Sequence, residues 1–222
     1  MKDARFWDRS AREYAASPVA DRAGYEQTVS AIRQRLTCED AVLEIGCGTG
    51  TTALRLAPGV GRILATDISR QMIAIARERA LADICSNVVF EVAASDAAPS
   101  PHERYDVALA LNVLHLVPSL YETVAAVNRR LKPGGLFISK TPCLALMNPL
   151  LRIAVPAMQV FGKAPSVSIL SPDQIESALV AGDFEIIERG WHGTQGRDAR
   201  PYIVARKPRA CSSVAPRTSP VS

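Results

Sequence analysis

The sequence predicts an α/β fold built on a mostly parallel β-sheet with helices on both of its faces. Short apolar stretches alternate along the chain with amphipathic helical stretches, which is the pattern of βαβ units. Some apolar stretches, such as Val107–Leu111, contain no polar residue, as expected for strands that are buried on both faces. With 222 residues, of which 48% are hydrophobic, the chain is long enough for one such domain.

The elements up to Lys140 follow one another in the order that this fold requires. Residues 4–36 predict amphipathic helix, broken near Ser17 and Pro18. Ser69 is suited to cap a helix, and the Lys-Pro-Gly-Gly stretch at 132–135 should end another. The predicted strands are Ala41–Ile45, Arg62–Thr66, Val88–Ala93, Tyr105–Leu111 and Leu136–Lys140, and the predicted helices between them are Thr51–Ala57, Arg70–Leu81 and Tyr121–Leu131.

The pattern changes after Thr141. Residues 142–171 are apolar and interrupted by prolines, and we predict a helical insertion there. A further helix should begin after Ser171 and end at Gly182. The stretches Phe184–Arg189 and Tyr202–Arg206 have no clear helix between them, which indicates an antiparallel hairpin at the sheet edge. From residue 207 onward the composition is that of a disordered tail.

The charge of the chain is unevenly placed. There are 26 basic and 22 acidic residues, a net charge of +4. The whole excess lies in residues 206–222, which contain four basic residues and no acidic one. Because the rest of the chain is neutral and shows no basic cluster, we expect no nucleic-acid partner.

The cysteines and histidines suggest neither disulfides nor a metal site. The five cysteines are an odd number without CxxC spacing, and the charged N-terminus lacks the apolar core of a signal peptide. We therefore expect a cytoplasmic protein, without a membrane span because no run of about 18 apolar residues occurs. His102, His115 and His192 are scattered and form no pair at ligand spacing, so we expect no metal.

A glycine-rich turn follows the first predicted strand, in the stretch Val-Leu-Glu-Ile-Gly-Cys-Gly-Thr-Gly at 42–50. Glycines at the end of a strand allow backbone N–H groups to approach a ligand closely. The spacing is G-x-G-x-G, whereas a dinucleotide fingerprint would place its third glycine where Thr51 stands, which disfavours an NAD-dependent oxidoreductase. Asp67 closes the second strand, 21 residues after Gly46, where an acid can accept hydrogen bonds from two ribose hydroxyls.

With these motifs the chain resembles the class I S-adenosylmethionine-dependent methyltransferases, in particular the small-molecule enzymes with a seven-stranded Rossmann-like fold. The glycine turn, Ala-Thr-Asp-Ile-Ser at 65–69, Ser-Asp-Ala at 95–97, and the stretches at 105–117 and 131–139 carry the resemblance. It implies the same fold with an antiparallel C-terminal hairpin, S-adenosyl-L-methionine as cofactor, and methyl transfer. It also divides the chain into an N-terminal helical lid (1–36), a methyltransferase domain (37–206) with an acceptor-side helical insertion (142–171), and the tail (207–222).

The resemblance implies a role for each matching residue. Asp67 would bind the ribose, and Ile68 and Met72 would pack against the adenine. Asp96 would accept from the adenine amine, and the backbone N–H of Ala97 would face a ring nitrogen. Asp67 could instead be a helix-capping acid, and Asp96 an ordinary loop acid.

The methionine side of the cofactor would be held by the first strand and its turn. The residues implied there are Glu44, Gly46, Cys47, Gly48 and Gly50. Cys47 occupies the variable position of the turn, which favours a small apolar residue over a nucleophile.

Three further residues are candidates for the reaction itself. Asn112 would face the methyl group, and Tyr14 resembles a lid tyrosine, although it could be a packing residue. His115 follows the fourth strand and could take a proton from the acceptor, or it could be a packed or capping histidine.

The acceptor itself is not identified by these motifs. The apolar stretch at 142–171 suggests an apolar small-molecule acceptor, but it would equally suit a helix packed on the sheet or a contact in a homodimer. The alternative function is a catalytically silent subunit that binds S-adenosylmethionine and acts in regulation or assembly.

Overall fold

The structure, a computed structural model, describes residues 2–97, 103–146, 164–194 and 199–209. The strands are β1 (Ala41–Ile45), β2 (Arg62–Asp67), β3 (Val88–Val92), β4 (Tyr105–Leu111), β5 (Leu131–Lys140), β6 (Glu185–Gly190) and β7 (Tyr202–Arg206). The helices of the described residues are α1 (Lys2–Ala16), α2 (Arg22–Arg33), α3 (Thr51–Leu56), α4 (Arg70–Ala82), α5 (Leu120–Arg130) and α6 (Pro172–Ala181).

The strands form one seven-stranded sheet in the order β3-β2-β1-β4-β5-β7-β6. Strands β1 to β5 pair in parallel, and β7 lies antiparallel between β5 and β6. The predicted fold class, including its C-terminal antiparallel hairpin, is therefore confirmed. Successive strands run outward in opposite directions from β1 and β4, so the carboxyl ends of these two strands form the crevice where such sheets bind ligands.

Both faces of the sheet are covered by apolar side chains. One layer joins the sheet to α2, α3 and α4 and includes Ile32, Ile73 and Phe90. The other joins it to α5 and α6 and includes Val127 and Leu179. Because the central strands β1 and β4 are buried on both sides, their carboxyl ends are a rigid base for a site.

Four helices begin at side-chain caps of the expected kind, and at α5 Ser119 accepts from the backbone N–H of Glu122. Ser69 accepts from the backbone N–H of Met72, as predicted, and Asp21 accepts from that of Gly24. Ser171 and Gln174 form a reciprocal capping box at the start of α6. These caps fix where α2 and α4 enter the region around the crevice.

The fifth strand is longer than predicted. It begins at Leu131 and not at Leu136, because the Lys-Pro-Gly-Gly stretch is accommodated by an irregularity opposite Tyr105 and Val107 of β4. The side chain of Lys132 reaches across to Asp106 at 2.8 Å. A glycine pair that we expected to lie wholly in a loop is thus part of the sheet.

The predicted tail begins with an ordered residue. The backbone N–H of Lys207 donates to the Gly135 oxygen, and its Nζ donates to the carbonyls of Asn128 and Leu131. A cation here satisfies carbonyls at the C-terminal end of α5. One of the three basic residues in the predicted tail therefore stabilises the folded body, and residues 210–222 lie outside the described part.

The predicted helical insertion lies mostly outside the described residues. Its described flanks contain a short 3-10 turn at Leu144–Leu146 and no helix or strand in residues 164–170. Whether 142–171 is a helical cap stays a prediction.

Candidate functional site

A cavity of about 330 Å³ opens at the carboxyl ends of β1, β4 and β5. This volume is within the range of small-molecule sites. The segment between α1 and α2 forms part of its wall. Six of the predicted site residues line it, namely Tyr14, Glu44, Gly46, Cys47, Gly48 and Asn112.

The glycines of the turn have different neighbours. Gly48 has φ +53°, and a Cβ there would meet only the Tyr14 ring, at 3.6 Å, so its backbone faces the cavity. A Cβ on Gly50 would instead lie 2.7 Å from the Phe90 ring. Gly50 is therefore required for packing against the core and does not line the cavity, although we predicted it among the cofactor ligands.

Asp67 lies directly behind the turn. Its Oδ2 accepts from the Gly48 N–H at 3.0 Å, and its Oδ1 accepts from the Ser69 N–H at 2.8 Å. Burial raises the pKa of this carboxyl above its usual value, against the effect of these hydrogen bonds. The side chain is thus fixed at the end of β2 by backbone donors, but it is not among the residues that line the cavity, and its ribose-binding role stays a prediction.

Glu44 is a buried carboxyl with unused hydrogen-bonding capacity. It is 3% exposed and lines the cavity, and its Oε2 has no hydrogen-bond partner within the described parts of the chain. Burial raises its pKa to about 8, an effect that the Ala53 N–H opposes. A buried acceptor of this kind is costly unless a ligand supplies a donor, and an ammonium group would do so.

Cys47 is unsuited to nucleophilic chemistry. It is buried, and burial raises its pKa well above that of a free thiol. The neighbouring carboxyls of Glu44 and Asp67 disfavour the thiolate further. This supports its interpretation as a small apolar residue of the turn.

Helix α1 lies over the turn and is held there by polar contacts with α4. Asp8 accepts from the Ser69 hydroxyl at 2.7 Å. Arg79 donates to the Ala15 carbonyl at 3.1 Å and to the Thr49 hydroxyl at 2.8 Å, so it joins the end of α1 to the turn. These contacts place Tyr14 above Gly48, with its ring edge-on to Trp7.

The core of the chain matches a known domain family. Residues 42–135 match the family model described as a methyltransferase domain. This segment, which runs from β1 into β5, is therefore similar to a methyltransferase domain.

Two curated relatives illustrate the similarity. The 27-O-demethylrifamycin SV methyltransferase of Amycolatopsis mediterranei is 36% identical over 102 residues, which are 45% of this chain and 38% of that protein. A ubiquinone/menaquinone biosynthesis C-methyltransferase of Methylobacterium nodulans is 29% identical over 167 residues, 74% of this chain and 62% of that one. The match thus covers less than two thirds of either relative.

A solved structure shows the same fold. The S-adenosylmethionine-dependent methyltransferase of Mesorhizobium loti superposes with a TM-score of 0.70 at 20% identity, over 83% of this chain and 98% of that one. The fold of the methyltransferase domain is therefore shared well beyond the residues that match the family model.

The positions and chemistry of the residues at this site are compatible with binding of S-adenosylmethionine. The orphaned Glu44 oxygen can accept from an ammonium group, and the backbone at Gly48 is open to the cavity. Asp67 presents a carboxylate at the end of β2.

In the described ranges no cluster of three metal-ligating side chains occurs, and no helix has both the length and the apolarity to cross a bilayer.

The structure does not bring every predicted residue to the cavity. Ile68 is half-buried and Met72 lies on the buried face of α4, and neither lines the cavity. Asp96 and Ala97 are exposed, and the Asp96 charge acts on the buried Arg130 on the α5 side. Their adenine-binding roles stay predictions.

His115 also lies apart from the cavity lining. Its backbone carbonyl accepts from the Ser168 N–H at 2.7 Å, and burial lowers the pKa of the imidazole to about 4. The ring is therefore neutral at pH 7. Its buried Nδ1 finds no partner among the residues that the structure describes, so both the proton-accepting and the packing interpretation stay open.

Sequence reasoning missed the polar wall of the cavity. Asp21, Thr28, Lys140 and Arg200 line this part of the cavity. They come from α2, from the end of β5 and from the residues before β7. A lysine at the carboxyl end of a predicted buried strand was the one signal in the sequence that could have been used.

We expect Tyr14→Ala to weaken binding of S-adenosylhomocysteine by about tenfold, because the ring closes the cavity above Gly48. Tyr121→Ala is a matched control, since Tyr121 on α5 is 55% exposed and Tyr14 52%. Calorimetric titration of both variants measures the effect. Equal affinities in the two variants would show that Tyr14 only packs α1.

Proposed function

We propose that this protein transfers a methyl group from S-adenosylmethionine to a small-molecule acceptor. The orphaned carboxyl of Glu44, in one cavity with Gly48 and Asn112, is the observation that carries the proposal. The named activities of the two relatives, one concerned with a rifamycin and one with quinone biosynthesis, support a small acceptor.

The protein's part in such a reaction is mainly positioning and exclusion of water. When bound, S-adenosylmethionine supplies an electrophilic methyl group whose leaving group is a neutral thioether. No strong acid is then needed, and alignment of the acceptor is the chief requirement. Glu44 and Asp67 hold the two ends of the cofactor, and Tyr14 on α1 covers the turn.

Asn112 lines the cavity at the end of β4, next to the end of β5. Its backbone has φ +56°, and its N–H donates to the Lys140 carbonyl at 2.7 Å. This couples the ends of β4 and β5 and fixes the backbone that presents the Asn112 side chain. We assign this residue to positioning the reacting groups.

The body of the acceptor is proposed to be apolar, on the composition of residues 142–171. The alternative, a silent subunit, would use the same Glu44, Gly48 and Asp67. Cytoplasmic location and a homodimer stay predictions.

Two measurements test the proposal. Calorimetry with S-adenosylhomocysteine and with NADH should show binding of the first alone, and binding of NADH alone would overturn it. A metabolite extract incubated with methyl-labelled cofactor should then yield a labelled small molecule. Tight cofactor binding without any labelled product across broad extracts would favour the silent subunit.

A further inference from the structure

Helix α1 carries a stripe of basic side chains on its outer face. They recur at intervals of three and four residues, so they lie along one side of the helix, and all are exposed; they are Lys2, Arg5, Arg9 and Arg12. Ala11, the one buried residue of α1, marks the opposite side, which faces the protein. The basic stripe therefore points into solvent.

The cations of the stripe form no ion pair with the described parts of the chain. Two of the three acids of α1 are engaged elsewhere. Asp3 accepts from the backbone N–H of Ser166 at 2.8 Å, and Asp8 accepts from the Ser69 hydroxyl at 2.7 Å. Glu13 is the only acid of α1 that is exposed. The outer face of the helix therefore has a net positive charge.

This stripe corrects the expectation that the chain has no basic cluster. Along the sequence, acids alternate with the cations of α1, so the segment looks nearly neutral. The helix separates the two kinds of charge, because the cations share one side and two of the acids bond the start of α4 and residue 166.

Exposed aliphatic side chains lie near the beginning of α1. The hydrogen bond between Asp3 and Ser166 places the segment around Ser166 beside this helix. Ile169, three residues further on, is 36% exposed. Leu146 is 38% exposed and lies close to Ile169, because the residues next to them share a backbone hydrogen bond. An anionic bilayer offers phosphates to cations and an acyl layer to aliphatic groups, whereas the bases of single-stranded nucleic acids stack on aromatic side chains.

We propose that the outer face of α1 docks on an anionic lipid surface. A Lys or Arg held near such a surface strengthens binding by about fivefold, so four cations opposed by one acid give a weak, reversible and salt-dependent association. The other side of α1 stays on the protein, where Tyr14 and Ala15 line the cavity. Docking therefore holds the cavity beside the bilayer, where apolar molecules concentrate. The proposal goes beyond the proposed function, since lipid binding is measured without any methyl transfer.

Co-sedimentation with lipid vesicles tests this proposal. At about 50 mM salt the protein should bind phosphatidylcholine vesicles that contain about 40% phosphatidylglycerol, and should bind pure phosphatidylcholine at least about tenfold more weakly. Raising the salt to about 500 mM should release it. Arg5→Gln combined with Arg9→Gln should weaken binding to the anionic vesicles by about 25-fold, because two of the cations are lost.

Arg129→Gln combined with Arg206→Gln is the matched control. It removes the same charge from exposed side chains near the ends of α5 and β7, at the amino ends of the parallel strands, whereas α1 lies at their carboxyl ends. Its vesicle binding should stay close to that of the wild type. Arg5→Lys combined with Arg9→Lys keeps the charge of the stripe and should retain binding. All three double variants should keep the wild-type affinity for S-adenosylhomocysteine.

The proposal is overturned if the wild-type protein does not bind the anionic vesicles at low salt. It is equally overturned if Arg5→Gln with Arg9→Gln binds them as the wild type does, or loses no more binding than the control. A single-stranded RNA that bound more tightly than the vesicles would assign the stripe to nucleic acid and overturn it as well. Absent S-adenosylhomocysteine binding would overturn the proposed function alone, because vesicle binding needs no cofactor.

Discussion

Asp67→Asn should weaken binding of S-adenosylhomocysteine by about a hundredfold or more. The carboxylate accepts from two backbone N–H groups, of Gly48 and Ser69, one on each oxygen. An amide has only one acceptor oxygen, so its NH₂ group must face one of these donors. Two charge-assisted hydrogen bonds to a ribose diol would be lost as well, each worth roughly 1.5–3 kcal/mol.

Asp106→Asn is the matched control for this variant. Asp106 also accepts from a backbone N–H, that of Ala41 at 2.9 Å, but at the amino ends of β4 and β1, away from the glycine turn. It should leave the cofactor affinity unchanged, as measured by calorimetry. If Asp67→Asn bound as tightly as the wild type, Asp67 would be a helix-capping acid and the ribose site would lie elsewhere.

The parts of the site that sequence reasoning found are those that local pattern determines. A strand, a glycine turn and an acid at the end of the next strand are adjacent in the chain, and parallel pairing brings their ends together. Ile45 pairs with Thr66, which brings Gly48 into hydrogen-bonding contact with Asp67. These two residues are only 19 positions apart in the sequence. Sequence pattern also predicted the caps at Ser69 and Ser171, because a cap depends on its own first turn.

The polar wall could not be found in the same way, because it depends on how distant elements dock. Thr28 and Lys140 are 112 positions apart, and Asp21 and Thr194 are 173 apart. No local sequence pattern in α2 predicts that this helix packs against the ends of β5 and β7. The same limit explains Gly50, whose packing against Phe90 is visible only once β3 and α4 are in place.

Glu44 should make cofactor binding depend on pH. Burial raises its pKa to about 8 in the free protein, so the carboxyl is largely protonated at pH 7. An ammonium group bound at Oε2 favours the ionised form, and the proton must leave. Between pH 6 and pH 7 the affinity for S-adenosylhomocysteine should therefore rise several-fold, and binding at pH 7 should release most of a proton.

Calorimetry in buffers of different ionisation enthalpy measures this proton release directly. Glu44→Gln can still accept from Ala53 but cannot ionise, so it should bind weakly and show neither the pH dependence nor the proton release. If Glu44→Gln kept the full pH dependence of cofactor binding, the group that titrates would be a residue other than Glu44. Tyr14, Cys47 and Asp67 are the neighbours whose pKa values the structure also raises.

The same carboxyl should affect the stability of the free protein with a defined sign. Its pKa in the folded state lies above that of the unfolded chain, so the folded state holds the extra proton and stability falls as pH rises from about 4.5 to about 8. His115 acts oppositely, since its pKa is lowered to about 4, but its contribution is complete above about pH 6.5. Between pH 6.5 and pH 8 urea unfolding should therefore show a fall in stability in the wild type that is reduced in Glu44→Gln. Saturating cofactor should remove this fall, because the bound ligand favours the ionised form of Glu44 and so brings its pKa in the folded state back towards the unfolded value.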